Sequence, residues 1–118
     1  VALEAARQAL AAGQEHNQPF HIGAAWRALG MAVGQLPEPV VIEDRAYDAA
    51  ACYAESLRIF TEKGIERERA WTLRAWAEYE MARADRERGE AMWQEAQAIF
   101  ASLGVELELE PKGGEQQP

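Results

Sequence analysis

Basic residues, cysteine and long apolar runs are all scarce in this chain, and each scarcity excludes something. Lys and Arg total 12 against 20 Asp and Glu, which sets the net charge at −8 over 118 residues. So acidic a chain lacks the basic face that a phosphate backbone requires, which argues against a nucleic-acid partner. It is equally unsuited to an anionic membrane surface. No apolar run approaches the roughly 20 residues of a bilayer span, and no basic start followed by an apolar stretch reads as a signal peptide. Cys52 stands alone, so no internal disulfide can form and a reduced, cytoplasmic setting is expected. A glycine-rich phosphate loop is missing as well, since Gly113 and Gly114 fall in a polar tail. β-Branched residues are few, so strand signals are sparse.

Good helix formers are abundant: Ala, Glu, Arg, Leu and Gln dominate. Apolar residues recur at helical spacing in five stretches, which predicts helices over about 1–12, 21–36, 45–63, 66–84 and 89–103. Ile22, Trp26, Leu29, Val33 and Leu36 form the clearest apolar stripe. Gly13, Gly64 and Gly104 are read as helix stops, Gly89 as a helix start and Asp44 as the N-cap of the third helix. Pro19 suits the first turn of the second helix, and Pro37 and Pro39 are expected to end it. Val40, Val41 and Ile42 read as a short extended piece covering a helix end. In the fourth stretch Ala70, Leu73, Ala77 and Met81 line one face while Trp71, Ala75 and Ala82 line another. Apolar residues on two faces imply neighbours on both sides, as in a stacked array. Residues 105–118 carry too little apolar surface to pack and are expected to be disordered. The chain starts at Val1 directly in helical sequence, which predicts a piece of a longer protein.

The third and fifth stretches repeat at an offset of 40 residues: Tyr53 aligns with Trp93, Ile59 and Phe60 with Ile99 and Phe100, and Gly64 with Gly104. A period of this size marks a helical solenoid. On these residues the chain resembles the tetratricopeptide family. Trp26, Leu29, Gly30 and Val33 stand in the pattern of that family's first helix, and Ala49, Tyr53 and Ser56 in that of its second. Leu73, Trp76 and Ala77, then Gly89, Trp93 and Ala96, repeat the pattern, with Glu80 where an aromatic is usual. The resemblance covers about residues 1–104. It implies an all-α fold of antiparallel helical hairpins stacked as a right-handed solenoid. It also implies a non-catalytic protein–protein interaction module, of the long-repeat type seen in large bacterial signalling proteins.

The resemblance places groove-facing residues on the first helix of each hairpin. By position these are Ala24, Arg27, Met31 and Gln35, then Trp71, Arg74 and Glu78. An aromatic with two arginines on one concave wall would suit an acidic or C-terminal peptide segment. Trp71 has a second reading, as packing on the second helix of its hairpin or covering an end of the array. The asparagines that the family's carboxylate-binding members use are missing from these positions. A structural alternative is self-association through the exposed ends of a solenoid, which normally carry polar caps.

Catalytic and metal-binding readings find little support. His16 and His21 flank Pro19 without a cysteine nearby, and their spacing does not put both rings on one helical face. Glu43, Asp44 and Asp48 lack the glycine turn of a cation loop and read as helix-end charges. Cys52 has no neighbouring base and reads as a small core residue. No cofactor is expected.

Overall fold

A computed structural model describes residues 2–83 and 85–104. Those residues form five helices and one β-hairpin: α1 (Ala2–Glu15), α2 (Pro19–Val33), β1 (Val40–Ile42), β2 (Arg45–Tyr47), α3 (Ala49–Lys63), α4 (Glu66–Ala82) and α5 (Arg86–Leu103). Each helix packs on the one before it, most extensively in the pairs α1–α2, α2–α3 and α4–α5. Smaller contacts join α3 to α4 and α2 to α4. No helix among the described residues is long and apolar enough to cross a membrane. The sequence expectation of a disordered tail falls outside the described residues.

The three direct helix-to-helix connections share one physical device. The amide of Gln18 donates to the carbonyl of Gly13 at 3.0 Å, Ile65 to Phe60 at 2.9 Å and Asp85 to Glu80 at 3.0 Å. Each bond reaches back five residues and satisfies a carbonyl that the helix end would leave open. Asn17 (φ 52) and Gly64 (φ 69) adopt the left-handed backbone that this closure requires. Thus α1 runs through Gly13 and ends at Glu15, three residues beyond the expected end, with the chain turning at Asn17. Gly13 is buried inside the helix instead.

Three other boundaries correct the sequence reading. The third helix starts at Ala49, not near residue 45, because Arg45–Tyr47 pairs with Val40–Ile42 as an antiparallel strand. Glu43 (φ 52) and Asp44 (φ 69) make the two-residue turn, with the positive φ that such tight loops need. Asp44 is therefore a turn residue, and Asp48 is the N-cap, accepting the Ala51 amide at 2.8 Å. The fifth helix starts at Arg86 under an Asp85 cap. Gly89 lies within it because a Cβ there would strike Met81 and sit 2.9 Å from the Ala77 carbonyl. Val33, not Pro37, ends α2, and Pro19 occupies its first turn as expected.

The larger core gathers Leu10, Trp26, Leu29, Tyr47, Tyr53 and Trp76, among others, and reaches every element from α1 to α4. Ile42 and Tyr47 of the hairpin close its edge, with the Tyr47 ring 4.8 Å from that of Trp26. A smaller core of Ala70, Leu73, Ala96, Ile99 and Phe100 holds α4 to α5. Leu57 and Met92 touch both. Ser56 and Thr72, each with no exposed surface, share a hydrogen bond of 2.9 Å across α3 and α4. Such a buried pair adds about 1 kcal/mol and fixes the facing of the two helices.

Candidate functional site

The residues singled out as groove-facing come together between α2 and α4. Two adjoining cavities, about 460 and 450 Å3, share Met31, Ala75 and Glu78 and together form one groove. Arg27, Trp71 and Arg74 line its first part, and Gln35 its second. Ala24 does not belong to it; that residue turns the other way, into a cavity between α1 and α2. Sequence reasoning missed Glu68, Tyr79 and Arg83 as groove residues. Glu68 was within reach of it, because 68, 71, 75, 78 and 82 alternate three and four apart along one face of α4.

Helical geometry positions the wall. Ser56–Thr72 sets the rotation of α4, which turns Trp71, Ala75 and Glu78 towards α2. On α2, Arg27 and Met31 are one turn apart and face back. Met31 is the most exposed large apolar residue of the groove, at 55 %. Trp71 satisfies both readings offered for it: its ring packs edge-on to Phe100 of α5, 4.9 Å between centroids, while it also lines the groove.

The two arginines are committed to neighbours within the chain. The Arg27 guanidinium meets the Glu68 carboxylate at 2.9 Å and donates to the Glu68 carbonyl and the Thr72 hydroxyl at 3.4 Å. It also lies 5.8 Å from the Phe60 ring centroid. The Arg74 guanidinium lies between two indoles, 5.3 Å from Trp71 and 4.9 Å from Trp93. Its Nε is 3.8 Å from the Glu78 carboxylate. Cation–π contacts of this kind contribute about 0.5–2 kcal/mol and hold the cation against the wall. The side chains of Arg27 and Arg74 are 21 % and 17 % exposed, whereas that of Glu78 is 60 % exposed. The groove wall therefore shows solvent a carboxylate more than a guanidinium, opposite to what the residue types alone suggest. At the far end Arg83 stacks over Tyr79 at 5.3 Å.

The other candidates are placed as follows. His16 and His21 both border the α1–α2 cavity, about 360 Å3 and lined chiefly by alanines. Glu43 and Asp44 form the hairpin turn, and Asp48 caps α3. Among the described residues no group of three or more His, Cys, Asp or Glu is gathered as metal ligands would be. Cys52 is wholly buried, and burial, with Asp48 and Glu55 nearby, pushes its thiol up to about 12. At neutral pH it is a protonated core residue, unable to supply the thiolate that nucleophilic chemistry uses. Glu80 is 8 % exposed and accepts the Trp76 indole N–H at 2.9 Å, so the departure from the aromatic pattern carries a structural hydrogen bond.

Compared with known proteins, the chain matches no family model, no curated protein and no solved structure.

Proposed function

We propose that this chain is a non-catalytic protein–protein interaction module of the tetratricopeptide type, from a larger signalling protein, and that the α2–α4 groove receives a peptide or a segment of a neighbouring domain. The supporting observation is convergence. Six of the seven residues selected, on α2 and the turn after it and on α4, more than 30 residues apart in sequence, border one groove with Met31 exposed in both its parts. A solenoid arrangement is part of the same proposal. Support comes from the repeated helix-closing bond at Gln18 and Ile65, and from the way α2 rests on both α3 and α4. A photo-cross-linker in place of Met31 would capture the partner. Affinity for that partner should fall by about tenfold or more in the Met31→Glu, Trp71→Ala double variant, the scale of an interface hot spot. Unchanged affinity would overturn the groove assignment.

A second reading, self-association, is favoured by the alanine-lined cavity between α1 and α2. Sedimentation equilibrium separates the two. Under self-association the mass rises with concentration and returns to monomer in Ala12→Glu; a monomer throughout removes this reading.

A further inference from the structure

We infer that the segment received by the α2–α4 groove is basic and apolar, presenting a Lys or Arg side chain to Glu78 beside an apolar side chain on Met31 and Trp71. This rests on the groove reading above and adds the partner's chemistry to it. The argument is charge complementarity decided by exposure. Of the ionised groups along the first part of the groove, Arg27 and Glu68 neutralise one another at 2.9 Å and are both mostly covered. Arg74 is clamped between Trp71 and Trp93 with 17 % of its side chain exposed. Glu78 stands out to solvent at 60 %, held to Arg74 only at 3.8 Å. An i, i+4 pair on a helix surface is worth about 0.3–0.5 kcal/mol, so a second cation can approach Glu78 without displacing a strong bond.

The surroundings of Glu78 define the rest of the segment. Met31 is 55 % exposed and faces Ala75 and half-buried Trp71. An exposed thioether beside an aromatic accepts apolar side chains of varied shape. An incoming carboxylate would meet Glu78 first, and no guanidinium in that stretch is as exposed. From Trp71 to Arg83 the α4 wall spans roughly 18 Å at about 1.5 Å per residue, which sets the length of segment the groove can engage. At the far end Arg83, held over Tyr79, is the place where the segment can carry an acidic residue. The overall charge of −8 also speeds the approach of a basic segment.

Panning a random phage-displayed peptide library on the full chain tests this. The recovered peptides should share Lys or Arg next to apolar residues. The tightest of them, measured by fluorescence anisotropy, should bind Glu78→Gln about twofold to fivefold more weakly, the effect of one screened ion pair. Glu90→Gln removes the same charge from α5 outside the groove and should leave that affinity unchanged. Met31→Ser, which removes the apolar side chain without adding charge, should weaken binding sharply. Recovered peptides that are acidic or uncharged, yet lose affinity in Met31→Ser, overturn the basic partner and leave the groove reading standing. Peptides indifferent to Met31→Ser, or none recovered, overturn both.

Discussion

The α2–α3 hairpin and the α4–α5 hairpin solve the same packing problem with the glycine on opposite sides. In the first, α2 supplies the small residues: a Cβ at Gly23 would lie 2.6 Å from Phe60, and one at Gly30 would lie 2.9 Å from Tyr53. The α3 rings can then press directly on the α2 backbone, and both Tyr53 and Phe60 are buried. In the second hairpin the glycine is on α5, at Gly89, against Ala77 and Met81 of α4. The backbones still approach, but no recess opens for the aromatic at the repeat-equivalent position. Trp93 consequently stays half-buried and carries the Arg74 guanidinium on its face. Where the missing side chain sits decides whether an aromatic is buried in the core or left half-buried to stack on a cation.

The largest effect expected from this contrast concerns the two equivalent phenylalanines, both without exposed surface. Phe60→Ala should lose about 3–5 kcal/mol of stability, because the facing Gly23 has no side chain to move into the space and the neighbouring Phe20 ring stands farther off, at 6.1 Å. Phe100→Ala should lose less, by about 1 kcal/mol or more, since half-buried Trp71 at 4.9 Å can follow into the cavity. Urea titration of both variants measures the difference. Equal losses would show that the two interfaces relax alike and that the position of the glycine does not govern how they fill.

A second test uses protons. In the first hairpin burial pushes the Cys52 thiol from 9.0 up to about 12, and the Tyr53 phenol from 10.0 up to about 12. At the equivalent positions the second hairpin has Met92 and Trp93, which do not titrate. Both groups hold their protons more tightly when folded, so between the unfolded and folded values the unfolded chain binds fewer protons. Stability from this source is full below about pH 9 and is lost as pH rises towards 12. By pH 11 the loss should be on the order of 4 kcal/mol, at about 1.4 kcal/mol per unit for each group, the larger part of it from Cys52. Cys52→Ala should flatten that slope. A wild-type stability independent of pH up to 11 would mean that the first hairpin opens far enough to hydrate both groups.

The contrast between the hairpins was partly legible in the sequence. Helical periodicity located all five helices, and the two apolar faces of α4 pointed to neighbours on both sides. Glycine was the misleading signal. Gly13 and Gly89 look like helix boundaries, yet they lie within α1 and α5, where a neighbouring helix passes close: a Cβ would be tight against Ile22 at Gly13, 3.1 Å away, and would strike Met81 at Gly89. Local sequence cannot separate a stop from a close approach, because the cause of the second lies in another element. Arg45–Tyr47 was misread for a similar reason: Asp44 resembles a cap, and only pairing with Val40–Ile42 makes that segment a strand. The groove residues were legible by position, but their electrostatics were not. Arg27 is neutralised by a carboxylate 41 residues away, and Arg74 is covered partly by Trp93 on the next helix.

The smallest effect separates the two caps that begin α3 and α5. Asp48 has extended backbone (φ −91, ψ −178), which aims its carboxylate over the first turn to accept the Ala51 amide at 2.8 Å. Asp85 sits at ψ 68 and reaches the Arg88 amide at 3.3 Å, near the outer limit of a useful bond. Asp48→Ala should therefore lose about 1–2 kcal/mol, and Asp85→Ala about 0.5 kcal/mol. The first turns differ in charge as well: α5 carries Arg86, Glu87 and Arg88, whereas α3 begins with three alanines. Cations there oppose the positive end of the helix, so part of the Asp85 contribution is electrostatic. Asparagine keeps the acceptor and drops the charge. Asp48→Asn should be close to neutral, while Asp85→Asn should lose nearly as much as Asp85→Ala. If both asparagine variants are neutral, then the longer Asp85 bond is as good a cap as the shorter one, and the hairpins differ only in how they pack.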